Sequence, residues 1–191
     1  MTKTKHLVVL CSGVGSTLQA MIDQLHNQNT SIRINAVICD KNCQAMTRGI
    51  TANIPSFFLP KRPSMSKKDY DNQLSQCIDT FQPDFIILSG FMRILSEDFV
   101  NKYPKKIINI HPSLLPKFKG LHTHQRVIMA NEKKHGTTVH YVDQTLDGGE
   151  IIAQRCVDIN PSDTAETLQM KIKQIEYQFY PEIIQKLCKA I

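Results

Sequence analysis

The strongest constraint on the fold is the repeated order of strand-like and helix-like segments in the first half of the chain. The run from His6 to Cys11 is typical of a β-strand, and after a glycine-rich loop apolar residues recur at helical spacing: Leu18, Met21, Ile22 and Leu25. A second unit repeats this order, with a strand-like run from Ile32 to Cys39 and a helical segment from Ala45 to Ala52. Strands that alternate with helices favour a parallel sheet with right-handed crossovers.

The next segments add a strand with two covered faces. Ser56 to Leu59 is a short strand-like run, and Ser66 to Phe81 has the apolar periodicity of a helix. Phe85 to Leu88 is continuously apolar, which predicts a central strand in a parallel sheet. A helix from Ile94 to Tyr103 and a second buried strand from Lys106 to Ile110 are expected to follow.

The second half of the chain has a different strand pattern. A helix is predicted from Thr123 to Asn131, and the runs Thr137 to Val142 and Glu150 to Asp158 alternate in polarity like antiparallel strands. A last helix follows Ser162, with apolar residues at helical spacing: Ala165, Leu168, Ile172, Ile175 and Phe179. We therefore predict an α/β fold, an open, mostly parallel, twisted sheet flanked by helices, with antiparallel strands in the C-terminal half.

Length and composition limit the classes of protein that fit. A chain of 191 residues suits one domain, and its 41% hydrophobic and 21% charged residues are ordinary for a folded globular protein. No apolar run reaches the ~18 residues that a membrane-spanning helix needs, and the start of the chain lacks the features of a signal peptide. We expect a cytoplasmic protein without a membrane partner.

Charge and cysteine content restrict the ligands. The net charge of +6 would suit nucleic acid or a small anionic substrate. Lys and Arg occur singly or in pairs, without the long basic block or interleaved aromatic residues of a nucleic-acid surface, although composition alone does not choose. The six cysteines are expected as reduced thiols. A zinc site at Cys39 and Cys43 is disfavoured because no second ligand pair accompanies them.

The first glycine-rich loop suits a phosphate group. Gly13-Val14-Gly15-Ser16-Thr17 lies between a predicted strand and a predicted helix, where backbone N–H groups and the helix dipole attract anions. Leu18 stands where a dinucleotide fingerprint has its third glycine, so a monophosphate fits better than a pyrophosphate. A tight turn with a Ser or Thr helix cap is the alternative interpretation.

Two polar residues end the second buried strand. Asn109 and His111 are two positions apart, so both side chains point to one side at the sheet edge where open α/β sheets bind ligands. An amide donor beside an imidazole can stabilise the oxyanion of acyl or formyl transfer. Strand-end Asn and His also bond to nearby backbone, and spacing alone leaves both interpretations open.

The sequence indicates a functional role less clearly for Asp147, His122 and His124 than for Asn109 and His111. Asp147 precedes Gly148-Gly149 in a turn, where Asp is commonly structural. If the fold brings Asp147 to His111, the carboxylate would favour a protonated imidazole and relay protons through water. His122 and His124 suggest a metal, but without a third ligand polar contacts are the preferred interpretation, and no metal is predicted.

Six motifs occur in a characteristic order: Gly13 to Thr17, Gly90 to Leu95, Asn109 to Pro116, Gly120 to His124, Gly136 to His140, and Leu146 to Gly149. In this order the chain resembles the phosphoribosylglycinamide formyltransferase family, from about His6 to Tyr180-Pro181. The resemblance implies a Rossmann-like formyltransferase fold as a single domain, residues 1–191. Residues 1–105 would form a phosphate- and ribonucleotide-binding half, and residues 106–191 a catalytic and folate-binding half.

The resemblance also implies an activity: transfer of the formyl group of 10-formyltetrahydrofolate to the amine of glycinamide ribonucleotide in purine biosynthesis, without a metal. It implies three catalytic residues: Asn109, His111 and Asp147. It implies four residues that bind the phosphate or ribose of glycinamide ribonucleotide: Gly15, Ser16, Thr17 and Glu176. It implies six residues that bind folate: Lys67, Met92, Arg93, Ile94, Leu95 and Asn109.

Departures from the family pattern leave alternatives to weigh. Val14 and Thr17 stand where the family loop usually has Asn, so a contact at Val14 must come from its backbone. Methionyl-tRNA formyltransferase normally has a further C-terminal barrel and formyltetrahydrofolate deformylase an added N-terminal domain, and neither segment is expected here. A binding module without turnover is disfavoured by the complete catalytic trio. We expect only small-molecule partners, in a monomer or homodimer.

Overall fold

Seven strands and six α-helices make up the described part of the molecule. The computed structural model describes residues 4–28 and 31–191. The strands are β1 Lys5–Cys11, β2 Ile32–Cys39, β3 Ser56–Phe58, β4 Phe85–Ser89, β5 Ile107–His111, β6 Lys134–Tyr141 and β7 Ile151–Asp158. The helices are α1 Ser16–Met21, α2 Gln44–Thr51, α3 Lys67–Asp79, α4 Glu97–Lys102, α5 Thr123–Met129 and α6 Ala165–Lys189. A π-helical turn, Ile22–His26, continues α1.

The strands form one sheet in the order β3-β2-β1-β4-β5-β6-β7. Neighbours from β3 to β5 pair in parallel, whereas β6 is antiparallel to both β5 and β7. β4 is therefore the middle strand, and all its residues are buried, as its apolar run predicts. The predicted mostly parallel sheet with antiparallel strands in the C-terminal half is confirmed.

Two buried clusters cover opposite faces of the sheet. Leu7 and Val9 of β1 belong to one cluster, and Val8 and Leu10 belong to the other, because successive side chains of a strand point to opposite faces. Helices α1 and α6 contribute to the first cluster, and α3 and α4 to the second. The sheet is therefore covered on both sides, and its polar loops lie at the ends of the strands.

Helices α4 and α5 are shorter than their apolar periodicity predicts. Helix α4 begins at Glu97 and not at Ile94, because the Ser96 hydroxyl caps it by accepting a hydrogen bond from the Phe99 N–H. The Ser96 N–H donates to Asp71 Oδ2 at 2.7 Å, which ties the start of α4 to α3. Helix α5 ends at Met129 and not at Asn131, whose left-handed backbone (φ 50°) cannot continue the helix.

None of the helices within residues 4–28 and 31–191 has the length and apolar character needed to cross a bilayer.

Candidate active site

The ends of three neighbouring strands bring several polar loops together. Cys11 pairs with Ser89, and Leu88 pairs with Asn109, so the carboxyl ends of β1, β4 and β5 share one edge of the sheet. The segments that follow β4 and end β5 line a cavity of about 670 Å³. Its lining comes from residues 91–94, 109–112, 120–125, 146–147, 165–166 and 169. This volume is in the range of sites that bind small molecules.

Asp147 meets His111 in this cavity. Asp147 follows β6 with a left-handed backbone (φ 47°), and its Oδ2 lies 3.3 Å from Nδ1 of His111 on β5. The same carboxylate oxygen accepts a hydrogen bond from the Gly120 N–H at 2.8 Å. The two side chains are only 8% and 10% exposed. Asp147 thus has the neighbour that its catalytic interpretation requires.

The second ring nitrogen of His111 also faces an acceptor. Nε2 lies 2.9 Å from the backbone oxygen of Phe118, and a carbonyl oxygen only accepts hydrogen bonds. With the Asp147 carboxylate next to Nδ1, a proton on either nitrogen has an acceptor. The imidazole is therefore held in one orientation by two partners, and one of them carries a negative charge.

Asn109 contacts a histidine on the neighbouring strand. Its Nδ2 lies 3.2 Å from Nε2 of His140, which is its partner across the antiparallel β5–β6 pair. The other nitrogen of His140, Nδ1, lies 2.8 Å from the Tyr141 backbone oxygen. Asp147 Oδ1 is 3.9 Å from His140 Nε2. The three predicted catalytic residues thus form one group that also contains His140.

A second histidine pair borders the cavity. His124, which lines it, has Nδ1 3.0 Å from Nε2 of His135 on β6. Burial lowers the pKa of both rings, and in His135 burial and the neighbouring His124 lower the pKa to about 4. Both rings are therefore neutral near pH 7 and share one N–H···N hydrogen bond. The predicted polar role of His124 takes this form, and His122 is the N-cap residue of α5.

The glycine-rich loop lies outside the cavity lining and keeps backbone N–H groups free. Gly15 has φ 72°, and a Cβ there would lie 2.7 Å from that of Ala45, so only glycine fits. Arg48 Nε donates to the Val14 carbonyl at 2.9 Å. Within residues 4–28 and 31–191, the backbone N–H groups of Gly15, Ser16 and Thr17 have no acceptor. The loop presents free donors, as the phosphate interpretation requires.

Glu176 is a buried carboxyl group on α6. The Thr137 hydroxyl donates to its Oε1 at 3.0 Å, and the same hydroxyl lies 3.1 Å from the backbone oxygen of His111. Burial raises the pKa of Glu176 to about 7, while Thr137 and Lys173 oppose the shift. Glu176 does not line the cavity, but a single side chain separates it from β5.

Four of the residues predicted to bind folate line the cavity, and Asn109, described above, is one of them. Met92 and Ile94 are 60% and 66% exposed, so they offer apolar surface to a ligand. Arg93 also lines the cavity, and its Nε lies 2.7 Å from the buried Asp40 Oδ2. Its guanidinium lies over the Tyr70 ring, 4.8 Å from the centroid. The orientation of Arg93 is thus set by a carboxylate and an aromatic ring.

Lys67 and Leu95 lie outside the cavity lining but contact each other. Lys67 is the first residue of α3, and its Nζ donates to the Leu95 backbone oxygen at 3.1 Å. The Lys67 side chain therefore lies next to the segment that carries Met92 and Ile94.

In the close cysteine pair, the Cys39 thiol stays protonated near neutral pH. Burial and the neighbouring Cys43 raise the pKa of Cys39 to about 12, whereas a metal-binding thiolate needs a lowered pKa. No group of three His, Cys, Asp or Glu side chains in residues 4–28 and 31–191 is arranged to hold a metal ion.

Comparison with known proteins identifies the family. The family model described as formyl transferase matches residues 5–184. The chain belongs to the formyl transferase family.

Individual formyl transferases resemble the chain over nearly its whole length. It is 38% identical to the phosphoribosylglycinamide formyltransferase of Haemophilus influenzae over 181 residues, covering 94% of this chain and 85% of that protein. It is 34% identical to the Bacillus subtilis enzyme of the same name, with 96% and 94% covered. The phosphoribosylglycinamide formyltransferase structure from Coxiella burnetii superposes with a TM-score of 0.94 at 40% identity, covering 98% and 89% of the chains.

Sequence reasoning missed several groups around the site of this formyl transferase. His140 and His135 had no predicted role, yet they contact Asn109 and His124. The Gly120 N–H and the Phe118 carbonyl are backbone groups, which no side-chain pattern reveals. His140 could have been found by pairing the predicted strands, because it is directly opposite Asn109 in the β5–β6 register.

Proposed function

We propose that this formyl transferase moves the formyl group of 10-formyltetrahydrofolate to the amine of N1-(5-phospho-D-ribosyl)glycinamide (glycinamide ribonucleotide). The products are formylglycinamide ribonucleotide and tetrahydrofolate, in de novo purine biosynthesis. The supporting observation is the Asp147–His111 contact of 3.3 Å beside Asn109, in a cavity of small-molecule size. The relatives named phosphoribosylglycinamide formyltransferase indicate the acceptor.

Asn109 and His111 stabilise negative charge on the formyl oxygen. When the substrate amine attacks the formyl carbon, that oxygen becomes an oxyanion, which N–H donors in a water-poor cavity stabilise strongly. Asn109 offers an amide N–H, and His111, two positions further along β5, offers an imidazole N–H once the substrate replaces one of its present acceptors, Asp147 or the Phe118 carbonyl. The chain needs no metal for this step and forms no covalent bond to the substrate.

Asp147 moves the protons. The attacking amine becomes acidic as its new bond forms, and the leaving folate nitrogen needs a proton. A carboxylate 3.3 Å from His111 can take a proton through a bound water and return it to the leaving nitrogen.

The remaining predicted residues bind the two substrates. Gly15, Ser16 and Thr17 offer free N–H groups to the ribonucleotide phosphate, and Glu176 accepts hydrogen bonds from its ribose hydroxyls. Formylfolate supplies the one-carbon group, and its contacts come from Lys67, Met92, Arg93, Ile94, Leu95 and Asn109. The fit is supported by the apolar lining at Met92 and Ile94 and by the cationic Arg93. We further propose that the protein is a cytoplasmic monomer or homodimer. Residues 1–105 and 106–191 would together form its single domain.

A single assay tests the proposal. Purified protein is incubated with 10-formyltetrahydrofolate, with and without glycinamide ribonucleotide, and loss of the formyl group is followed by absorbance. Loss only in the presence of the ribonucleotide is the expected result. Loss without the ribonucleotide would indicate a deformylase, and loss only with methionyl-tRNA a tRNA formyltransferase. No loss with any acceptor would indicate a binding module, and each of these three results overturns the proposal.

A further inference from the structure

The orientation of the Asn109 amide depends on a histidine outside the catalytic trio. The amide of Asn carries a donor NH₂ and an acceptor oxygen that differ little in shape, so the fold must choose which of them faces the substrate. Only a donor stabilises an oxyanion. The contact of Asn109 Nδ2 with His140 Nε2, at 3.2 Å, is the one hydrogen bond of this amide within residues 4–28 and 31–191.

The backbone decides which nitrogen of His140 carries the proton. Nδ1 lies 2.8 Å from the Tyr141 carbonyl oxygen, which can only accept, so Nδ1 must be the donor. In a neutral imidazole the other nitrogen, Nε2, then carries a lone pair. Because Nε2 is an acceptor, Asn109 must present an N–H to it. The amide oxygen in that place could form no hydrogen bond with Nε2, since both atoms would be acceptors.

We propose that His140 is a positioning residue that holds the Asn109 amide with its NH₂ group toward β6, so that the second N–H remains free for the formyl oxygen. The proposal rests on the proposed function for its catalytic meaning. Asn109 lines the cavity, and its amide has no hydrogen bond in the described part of the chain other than that to His140, so its second N–H has no acceptor there. His140 touches no substrate in this arrangement and acts only through Asn109.

Strand register places His140 opposite Asn109. The two residues are direct partners in the β5–β6 ladder, and facing side chains of antiparallel strands lie within contact distance. The pairing of β6 with β7 shifts register between Val139 and His140, and such irregularities redirect a side chain at a functional site. The ring is 2% exposed, so water does not compete for Nε2.

The groups around His140 keep its neutral form. Burial lowers the pKa of His140, and the nearby His111 lowers it further, whereas the Tyr141 carbonyl, Asp147 and Asp143 oppose the shift. Asp147 Oδ1, at 3.9 Å, is the nearest carboxylate oxygen to Nε2. A proton on Nε2 would turn the acceptor into a donor and demand the reverse amide orientation.

The tautomer of His140 can be measured without any assay of activity. In protein with ¹⁵N-labelled histidine, two-bond ¹H–¹⁵N NMR spectra at pH 7.5 distinguish a protonated from an unprotonated ring nitrogen, and the His140 signal is assigned by its loss in His140→Gln. We expect a proton on Nδ1 and a bare Nε2. A proton on Nε2, or on both nitrogens, overturns the proposal even if the enzyme transfers formyl groups.

Kinetics then test whether His140 acts through Asn109. In His140→Gln we expect kcat to fall roughly 10- to 100-fold, with KM for both substrates little changed. This loss is smaller than that caused by complete removal of an oxyanion donor, because Asn109 is still present. In an Asn109→Ala background the same substitution should have no further effect on kcat, because the coupled partner is already absent. Independent, multiplicative losses would contradict the proposal.

A matched pair elsewhere in the sheet provides the control. His6 Nδ1 lies 3.1 Å from Asn35 Oδ1, so it is also a histidine bonded to an asparagine amide, but on β1 and β2. We expect His6→Gln to leave kcat unchanged. A loss in His6→Gln equal to that in His140→Gln would show that any disturbed His–Asn pair lowers activity, and would overturn the positioning role. An inactive wild-type protein with the expected tautomer would instead reject the proposed function alone.

Discussion

The Asp147 carboxylate is 3.3 Å from Nδ1 of His111, at a separation of thirty-six residues along the chain. If Asp147 moves protons for the reaction, Asp147→Asn should lower kcat/KM by at least about 100-fold, as for loss of a general acid or base. The amide keeps the size of the side chain but not its charge or proton affinity. Initial rates of formyl transfer provide the measurement, with Asp158→Asn at the exposed end of β7 as the control. Near-equal rates for both variants would remove Asp147 from the mechanism.

Gly15 and Gly13 provide a matched pair for the phosphate loop. Gly15→Ala places a Cβ 2.7 Å from that of Ala45 in a left-handed backbone, whereas a Cβ at Gly13 meets no atom within 4 Å. We expect Gly15→Ala to lower the free energy of unfolding by roughly 2 kcal/mol or more and Gly13→Ala by much less. Urea unfolding measures both values. Equal losses would mean that the loop relaxes freely around the new methyl group.

Glu176 should lower the stability of the protein at high pH. Burial raises its pKa to about 7 from an ordinary value of 4.5, so the folded protein holds a proton that the unfolded chain releases in this interval. The stabilisation from this proton is complete below about pH 4.5 and is lost as the pH rises through 7. The Gln side chain of Glu176→Gln does not titrate. The free energy of unfolding of this variant, relative to that of the wild type, should therefore rise by about 2 kcal/mol from pH 5 to pH 8.

Paired urea titrations at the two pH values test this difference. The same variant should raise KM for glycinamide ribonucleotide if Glu176 binds its ribose. A pH-independent difference in stability would contradict the pKa shift, whereas an unchanged KM would contradict only the ribose contact.

The His124–His135 pair should destabilise the fold in acid. Burial lowers the pKa of His135 from 6.5 to about 4. Between these pH values His135 is protonated in the unfolded chain but neutral in the folded protein. The free energy of unfolding therefore falls as the pH drops from 6.5 to 4. In His135→Gln this decrease in the free energy of unfolding should be smaller by about 1 to 2 kcal/mol, with allowance for solvent screening.

Urea unfolding of wild type and His135→Gln at pH 7, 6, 5 and 4 provides the measurement. Carboxylates contribute equally to both proteins, so only the difference between the two curves is informative. Parallel curves over this range would show that the ring is protonated in the folded protein as easily as in the unfolded chain.

Sequence periodicity predicted the architecture well where the pattern is local. The apolar run Phe85 to Leu88 indicated a central strand, and β4 is the middle strand of the sheet. The predicted start of α4 at Ile94 was wrong. The Ser96 hydroxyl caps the helix and the Ser96 N–H contacts Asp71, and these hydrogen bonds outweigh the apolar periodicity of Ile94 and Leu95. Helix ends depend on single hydrogen bonds, which a hydrophobic pattern does not contain.

The sequence by itself determined that the chain forms a mostly parallel α/β sheet and that Asn109 and His111 share one side of a strand end, because both features follow from spacing within a few residues. Only the tertiary structure decided that Asp147 returns to His111 and that His140 faces Asn109. These contacts join residues about thirty or more positions apart. They depend on strand register and loop path, which the packing of the whole sheet fixes and no local pattern encodes.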